Sequence, residues 1–171
     1  MNIIPTKKAL PLFSFFDYSQ NKIENNECSF YSWHANYFTV NRKIVLVLVN
    51  ELSNSSIVLA DINAKNKKWL EEYIKQGIEE TFSYSGVSSV QIKKYFLMAG
   101  KVELLSNYNP SMISVTNNMI QIIKSNPEDI DFNTVLQPKI MEKLANIPYK
   151  RLTPSFSFSK DIAKRELDKL I

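Results

Sequence analysis

Apolar residues recur along this chain in two rhythms, and the first is the clearest. "HANYFTV" reads as a strand, the dipeptide "NR" follows, and then comes the unbroken run "KIVLVLVN". Two strands joined by a two-residue turn make a hairpin, and Asn41 tolerates the positive φ such turns require. Arg42 is less usual there, which leaves room for a longer loop. With the turn at Asn41-Arg42, Val40 faces Lys43, Phe38 faces Val45 and His34 faces Val49. "IVLVLV" shows no polar alternation, so it predicts a strand covered on both faces. "ELSNSS" then turns the chain into a third strand, "SIVLAD". The result is an antiparallel meander around residues 34–60.

The second rhythm is helical. Across 64–85, Trp69/Leu70, Tyr73/Ile74, Ile78 and Thr81/Phe82 recur every four residues and form one stripe. Asn63 or Asn66 suits the start of this helix and Gly86 its end. Ser88 or Ser89 opens a second helix that Gly100 closes, and "KVELLS" reads as a further strand. Asn109 and Pro110 are the cap and first residue of a third helix, with Met112, Val115/Thr116, Met119/Ile120 and Ile123 inward. Shorter elements complete the pattern. They are a strand at 2–5, a brief helix capped by Thr6 and stopped by Pro11, a polar loop at 17–29 and a helix over 138–145. An extended "SFSF" then precedes a last helix, capped by Ser159, with Ala163, Leu167 and Leu170 on one side.

These elements predict a single α+β domain: an antiparallel sheet of about five strands covered by helices. Residues 1–125 are expected to form its core. Residues 126–171 are expected to be a helical extension, packed on the same domain or reaching to a partner. A length of 171 residues suits one domain with a sizeable core.

Composition narrows the chemistry. One cysteine, Cys28, and one histidine, His34, exclude an internal disulfide and a His/Cys metal cluster. A carboxylate-based Mg²⁺ or Ca²⁺ site stays open, but no Asp-x-Asp-x-Asp loop is present, and no metal or cofactor is assigned. The first twenty residues are broken by Pro5, two lysines and Pro11 and do not read as a signal peptide. The longest apolar run is too short for a bilayer. A cytoplasmic protein is expected, with no membrane partner. Net charge is +4. Residues 1–138 carry thirteen basic and thirteen acidic side chains, whereas 139–171 carry eight and four. A basic end offers a contact for nucleic acid or an acidic protein, or is simply a solvated amphipathic helix.

Four stretches together resemble a known family. They are "TKKAL" at 6–10, "SWHANYFTVNRK" at 32–43, "IVLVLVN" at 44–50 and "SNYNPSMISVTNNM" at 106–119. Their order and spacing are similar to those of a family of small bacterial proteins classed as a domain of unknown function. Its pattern reads Ser-Trp-His-Ala-Asn-Leu, then Asn-Arg-x-Lys. The resemblance covers residues 2–120 and implies a shared fold, not a reaction. Pro110 stands where the pattern has arginine and Ser114 where it has glycine.

The candidate site follows from strand geometry. His34 and Asn36 share a face with Phe38 and Val40, and Asn50 ends the neighbouring strand. A small pocket lined by His34, Asn36, Asn50 and Asn117 is one reading; Arg42 joins the binding candidates, with Asn36, as a positioning or anion-stabilising group beside a general-base His34. The other is that His34 is a part-buried residue that bonds a carbonyl or an Asn side chain and fixes the sheet's corner over Trp33. Nucleophilic catalysis lacks its parts, since Cys28 falls in a predicted loop and no Gly-x-Ser-x-Gly elbow occurs. The Glu71/Glu72 and Glu79/Glu80 pairs read as a salt-bridged solvent face. The expected function is thus a non-enzymatic binding or interaction module, its partner an unknown protein or nucleic acid. The alternatives are a hydrolase or nuclease using His34 as general base, and a nucleic-acid-binding accessory protein acting through the basic C-terminal segment. A homodimer built through that segment is a further possibility.

Overall fold

The computed structural model describes residues 1–18, 29–107, 109–150 and 155–171. Most of the polar loop expected at 17–29, with Cys28, lies outside them. Five strands, β1 (Asn2–Pro5), β2 (Ser32–Val40), β3 (Lys43–Asn50), β4 (Ser56–Ile62) and β5 (Glu103–Leu104), form one sheet in the order β4-β3-β2-β1-β5. The meander β2-β3-β4 is antiparallel, while β1 runs parallel to both β2 and β5. The fold is α+β, as expected, with a mixed sheet that is mostly antiparallel.

The hairpin has the expected register: Val40 pairs with Lys43, Phe38 with Val45 and His34 with Val49. Its turn is the short one. Asn41 has φ 50° and Arg42 φ 65°, so both central residues are left-handed, the twist that matches two right-twisted strands. Arg42 therefore takes a conformation that non-glycine residues rarely adopt.

The uninterrupted apolar run of β3 is explained by two layers of helix. Leu46 and Leu48 point to one face, where α1 (Leu70–Ser83), α2 (Ser89–Ala99) and α5 (Ser159–Asp168) pack. Val45, Val47 and Val49 point to the other, under α3 (Pro110–Lys124) and α4 (Pro138–Ala145). On the first face, Trp33 Nε1 donates to the Tyr95 hydroxyl (3.0 Å), which donates to the Phe30 carbonyl (3.1 Å). Residues 135–137 run along the outer edge of β4. Ala60 N donates to the Val135 carbonyl (2.7 Å) and Gln137 N to the Val58 carbonyl (3.1 Å). An edge that would otherwise offer unpaired backbone is thereby covered.

Helix ends follow the local chemistry. Ser88 and Gln91 form a capping box on α2, and Asn109 caps α3 with Pro110 in its first turn. Three expectations are corrected. Pro11 lies within the first turn of a 3₁₀ segment (Leu10–Phe13) instead of stopping a helix. The helix expected from 64 begins as a 3₁₀ turn at Lys67–Trp69 and becomes α-helical at Leu70, which leaves Trp69 half exposed. Ser159 is the first residue of α5 and is buried; Phe158 precedes the helix, with no side-chain cap. Two short strands, β6 (Pro148–Tyr149) and β7 (Ser157–Phe158), pair ahead of α5.

Candidate functional site

His34 is placed by β2, whose alternation turns it toward the α3 face. It is 4% exposed. It bonds neither a carbonyl nor an asparagine, as a structural corner residue would. Its Nε2 lies 3.5 Å from Oε1 of Glu51, sealed from solvent and short of hydrogen-bond geometry. Among the described residues, no hydrogen bond to the ring's other nitrogen is made either. A buried imidazole nitrogen without a hydrogen bond is unusual, because a buried polar group left unsatisfied costs about 1–3 kcal/mol.

Glu51 is the residue that the sequence reading missed. The ladder continues past the end of β3, with Glu51 N donating to the Ser32 carbonyl (2.9 Å). Glu51 therefore shares the face of Val49 and His34. Its Oε2 accepts from Ser29 N (3.3 Å) and its Oε1 from Asn109 Nδ2 (3.1 Å). Burial raises the Glu51 carboxyl's pKa. His34, Ser29 N–H and Asn109 outweigh burial and hold it below the usual glutamate value. One carboxylate thus ties the β3–β4 turn, the cap of α3 and the imidazole together.

His34 also lines a cavity of about 320 Å³. Its walls come from the end of β1 (Ile4, Pro5) with Thr6 and Lys7 beyond it, from Ala35 on β2, from Ser106 and Asn107 after β5, and from Ile113 and Thr116 on α3. The carboxyl ends of two parallel strands, β1 and β5, thus open onto it. Such ends are where open sheets commonly bind ligands. Because Nε2 is sealed against Glu51, the ring meets the cavity with its remaining atoms.

The other residues singled out from the sequence are distributed as follows. Asn36 accepts from the Thr6 hydroxyl (3.0 Å) and donates to Asn117 Oδ1 (3.0 Å), which pins α3 to β2 beside the cavity. Asn50 pairs across the ladder with Trp33, not His34, so it sits on the opposite face. Its amide donates to the Phe30 carbonyl (2.8 Å), and its oxygen accepts from Ser53 N (2.9 Å) and Ser53 Oγ (3.0 Å). It is a fully enclosed anchor of the turn. Arg42 is exposed at the hairpin tip, some ~20 Å along the strand from His34.

At the basic end, Lys139 and Lys143 both pair with Asp129, Lys164 with Asp168, and Arg165 and Lys169 with Glu166. Among the described residues, no group of three His, Cys, Asp or Glu side chains is placed to hold a metal, and no helix is long and apolar enough to cross a membrane.

Comparison with known proteins adds one finding. The family model described as Domain of unknown function (DUF6933) matches residues 2–160. No curated protein matches the chain. The match runs well past residue 120, where the motif resemblance ends, and takes in α4 and the start of α5.

Proposed function

The chain belongs to the DUF6933 family, and since that description names no activity, we propose from the geometry that it is a binding module. Its site is the cavity between β1, β2 and α3, with His34 as the polar group that meets the occupant. One observation carries this reading: His34, only 4% exposed, lines the cavity, and its Nε2 has no hydrogen-bond partner. A ligand or ordered water in the cavity would meet the ring's remaining atoms and offer its other nitrogen a hydrogen bond, while Nε2 stays against Glu51. The cavity volume lies at the lower end of the range for small-molecule sites.

The basic C-terminal segment supports this reading less well as a second site, because the lysines named above are engaged with acidic neighbours. The bacterial, cytoplasmic setting belongs to the same proposal and rests on the motif resemblance and the single cysteine. A second reading makes His34 a general base. It is favoured by the Glu51 carboxylate, 3.5 Å from Nε2, which would orient the ring.

The test is a thermal-shift screen of small molecules on the wild type beside Ile113→Phe, which fills the cavity from α3. Compounds that bind as proposed raise the melting temperature of the wild type and not of the variant. Equal stabilisation of both proteins, or none by any compound, would overturn the reading. A substrate turned over by the wild type and not by His34→Gln would decide for the general base.

A further inference from the structure

We infer that the cavity selects small organic anions, an apolar body ending in a carboxylate, with Lys7 as the countercharge at its mouth. The inference deepens the cavity reading and rests on it. The lining combines apolar walls, Ile4, Pro5, Ala35 and Ile113, with one cationic side chain, Lys7, and no carboxylate.

The state of Lys7 is what points to an anion. Its neighbour Lys8 is engaged, donating to the Tyr37 carbonyl (3.0 Å) and lying 4.2 Å over the Tyr37 ring. Lys7 makes no ion pair or hydrogen bond among the described residues and is exposed. Ser106 and Asn107 lie on the same cavity after β5, and their side chains likewise make no hydrogen bond among the described residues. Three uncommitted donor groups from two segments therefore meet one apolar chamber. The hydroxyls deeper in the lining are spent. Thr6 donates to Asn36 and Thr116 to the Met112 carbonyl (2.8 Å).

Glu51, the acid that comes close, does not spoil this field. It sits behind His34, and its charge is met by Ser29 N–H, Asn109 and the imidazole. Hydrogen bonds to an ionised acceptor are about twice as strong as neutral ones, and partial enclosure strengthens them further. An ammonium in the same place would face Lys7 with no acid in the lining to offset the repulsion.

The experiment is an NMR titration of the ¹⁵N-labelled full chain with three probes of one shape: hexanoate, hexanamide and hexylamine. Hexanoate is expected to shift cavity residues and to bind roughly fivefold or more tightly than hexanamide, with hexylamine weakest. Lys7→Gln, an exposed change that spares the core, is expected to weaken hexanoate about two- to fivefold and leave hexanamide unchanged. If hexanamide or hexylamine binds the cavity as well as hexanoate, and Ile113→Phe abolishes that binding, the anion inference fails while the cavity reading stands. If none of the three shifts cavity residues, the inference fails, and the thermal-shift screen decides the cavity reading separately.

Discussion

At the scale of single residues, the account turns on two side chains of opposite character in one corner. The Asn50 side chain is satisfied on both polar atoms, whereas His34 Nε2 has no hydrogen-bond partner, although the two residues lie at the same end of neighbouring strands. The difference is one of parity. Asn50 lies across from Trp33 and falls on the packed face; Glu51, one residue on, falls on His34's face. Glu51 then sets the pH response of this corner. Its folded pKa is depressed below the ordinary glutamate value of 4.5. Its contribution to stability is therefore present above about pH 4.5 and is lost as pH falls through the lower folded value. Glu51→Gln should be less stable than the wild type at neutral pH, and the gap should close as pH falls below that range. Urea unfolding at several pH values measures it, and a gap that widens toward acid would refute the assignment.

At the scale of elements, the meander and the hairpin register were legible because strand side chains alternate strictly and β3 is apolar at every interior position. What pairwise alternation did not reveal was the parallel placement of β1 between β2 and β5, since a four-residue strand carries no directional signal. It also did not reveal Glu51, because a polar turn reads as solvated. Here Glu51, Ser53, Asn54 and Ser55 are all buried.

Two element-scale outcomes follow. A Cβ on Gly77 of α1 would lie 2.4 Å from Ile57 Cγ2 on β4. Gly77→Ala, which in a free helix gains about 1 kcal/mol, should here destabilise by about 1–3 kcal/mol through overpacking. In an Ile57→Ala background that cost should shrink. The second concerns Arg42, whose φ of 65° suits glycine. Arg42→Gly should leave stability unchanged or raise it by up to about 1 kcal/mol. It should also leave ligand titrations unaltered, being far from the cavity. A loss of binding in that variant would contradict the placement of the site.

At the scale of the whole molecule, two helical layers share one sheet, and the chain's last third closes both of them. Leu136 bridges to Leu59 on the edge of β4. Ile140, Met141 and Leu144 of α4 complete the core over one face, and Ala163 and Leu167 of α5 complete the core over the other. A chain cut at residue 130 should therefore lose cooperative unfolding and aggregate, where a dimerisation arm would merely leave a folded monomer. Sedimentation and thermal melts of the cut chain distinguish the two. The cavity itself was not legible in the sequence, because its walls come from segments a hundred residues apart, Thr6 and Lys7 with Ser106 and Asn107. Only the fold brings them together. His34 was found because it is the chain's one histidine and lies in the most specific motif.

That same uniqueness supplies the most direct test. With a single histidine, a long-range ¹H–¹⁵N spectrum contains one imidazole. Recorded against increasing hexanoate, both ring nitrogens should shift saturably with the same dissociation constant as the backbone amides of Ala35 and Ile113. Ring signals that stay fixed while hexanoate binds elsewhere would contradict the central claim, that His34 is the polar floor of a ligand site.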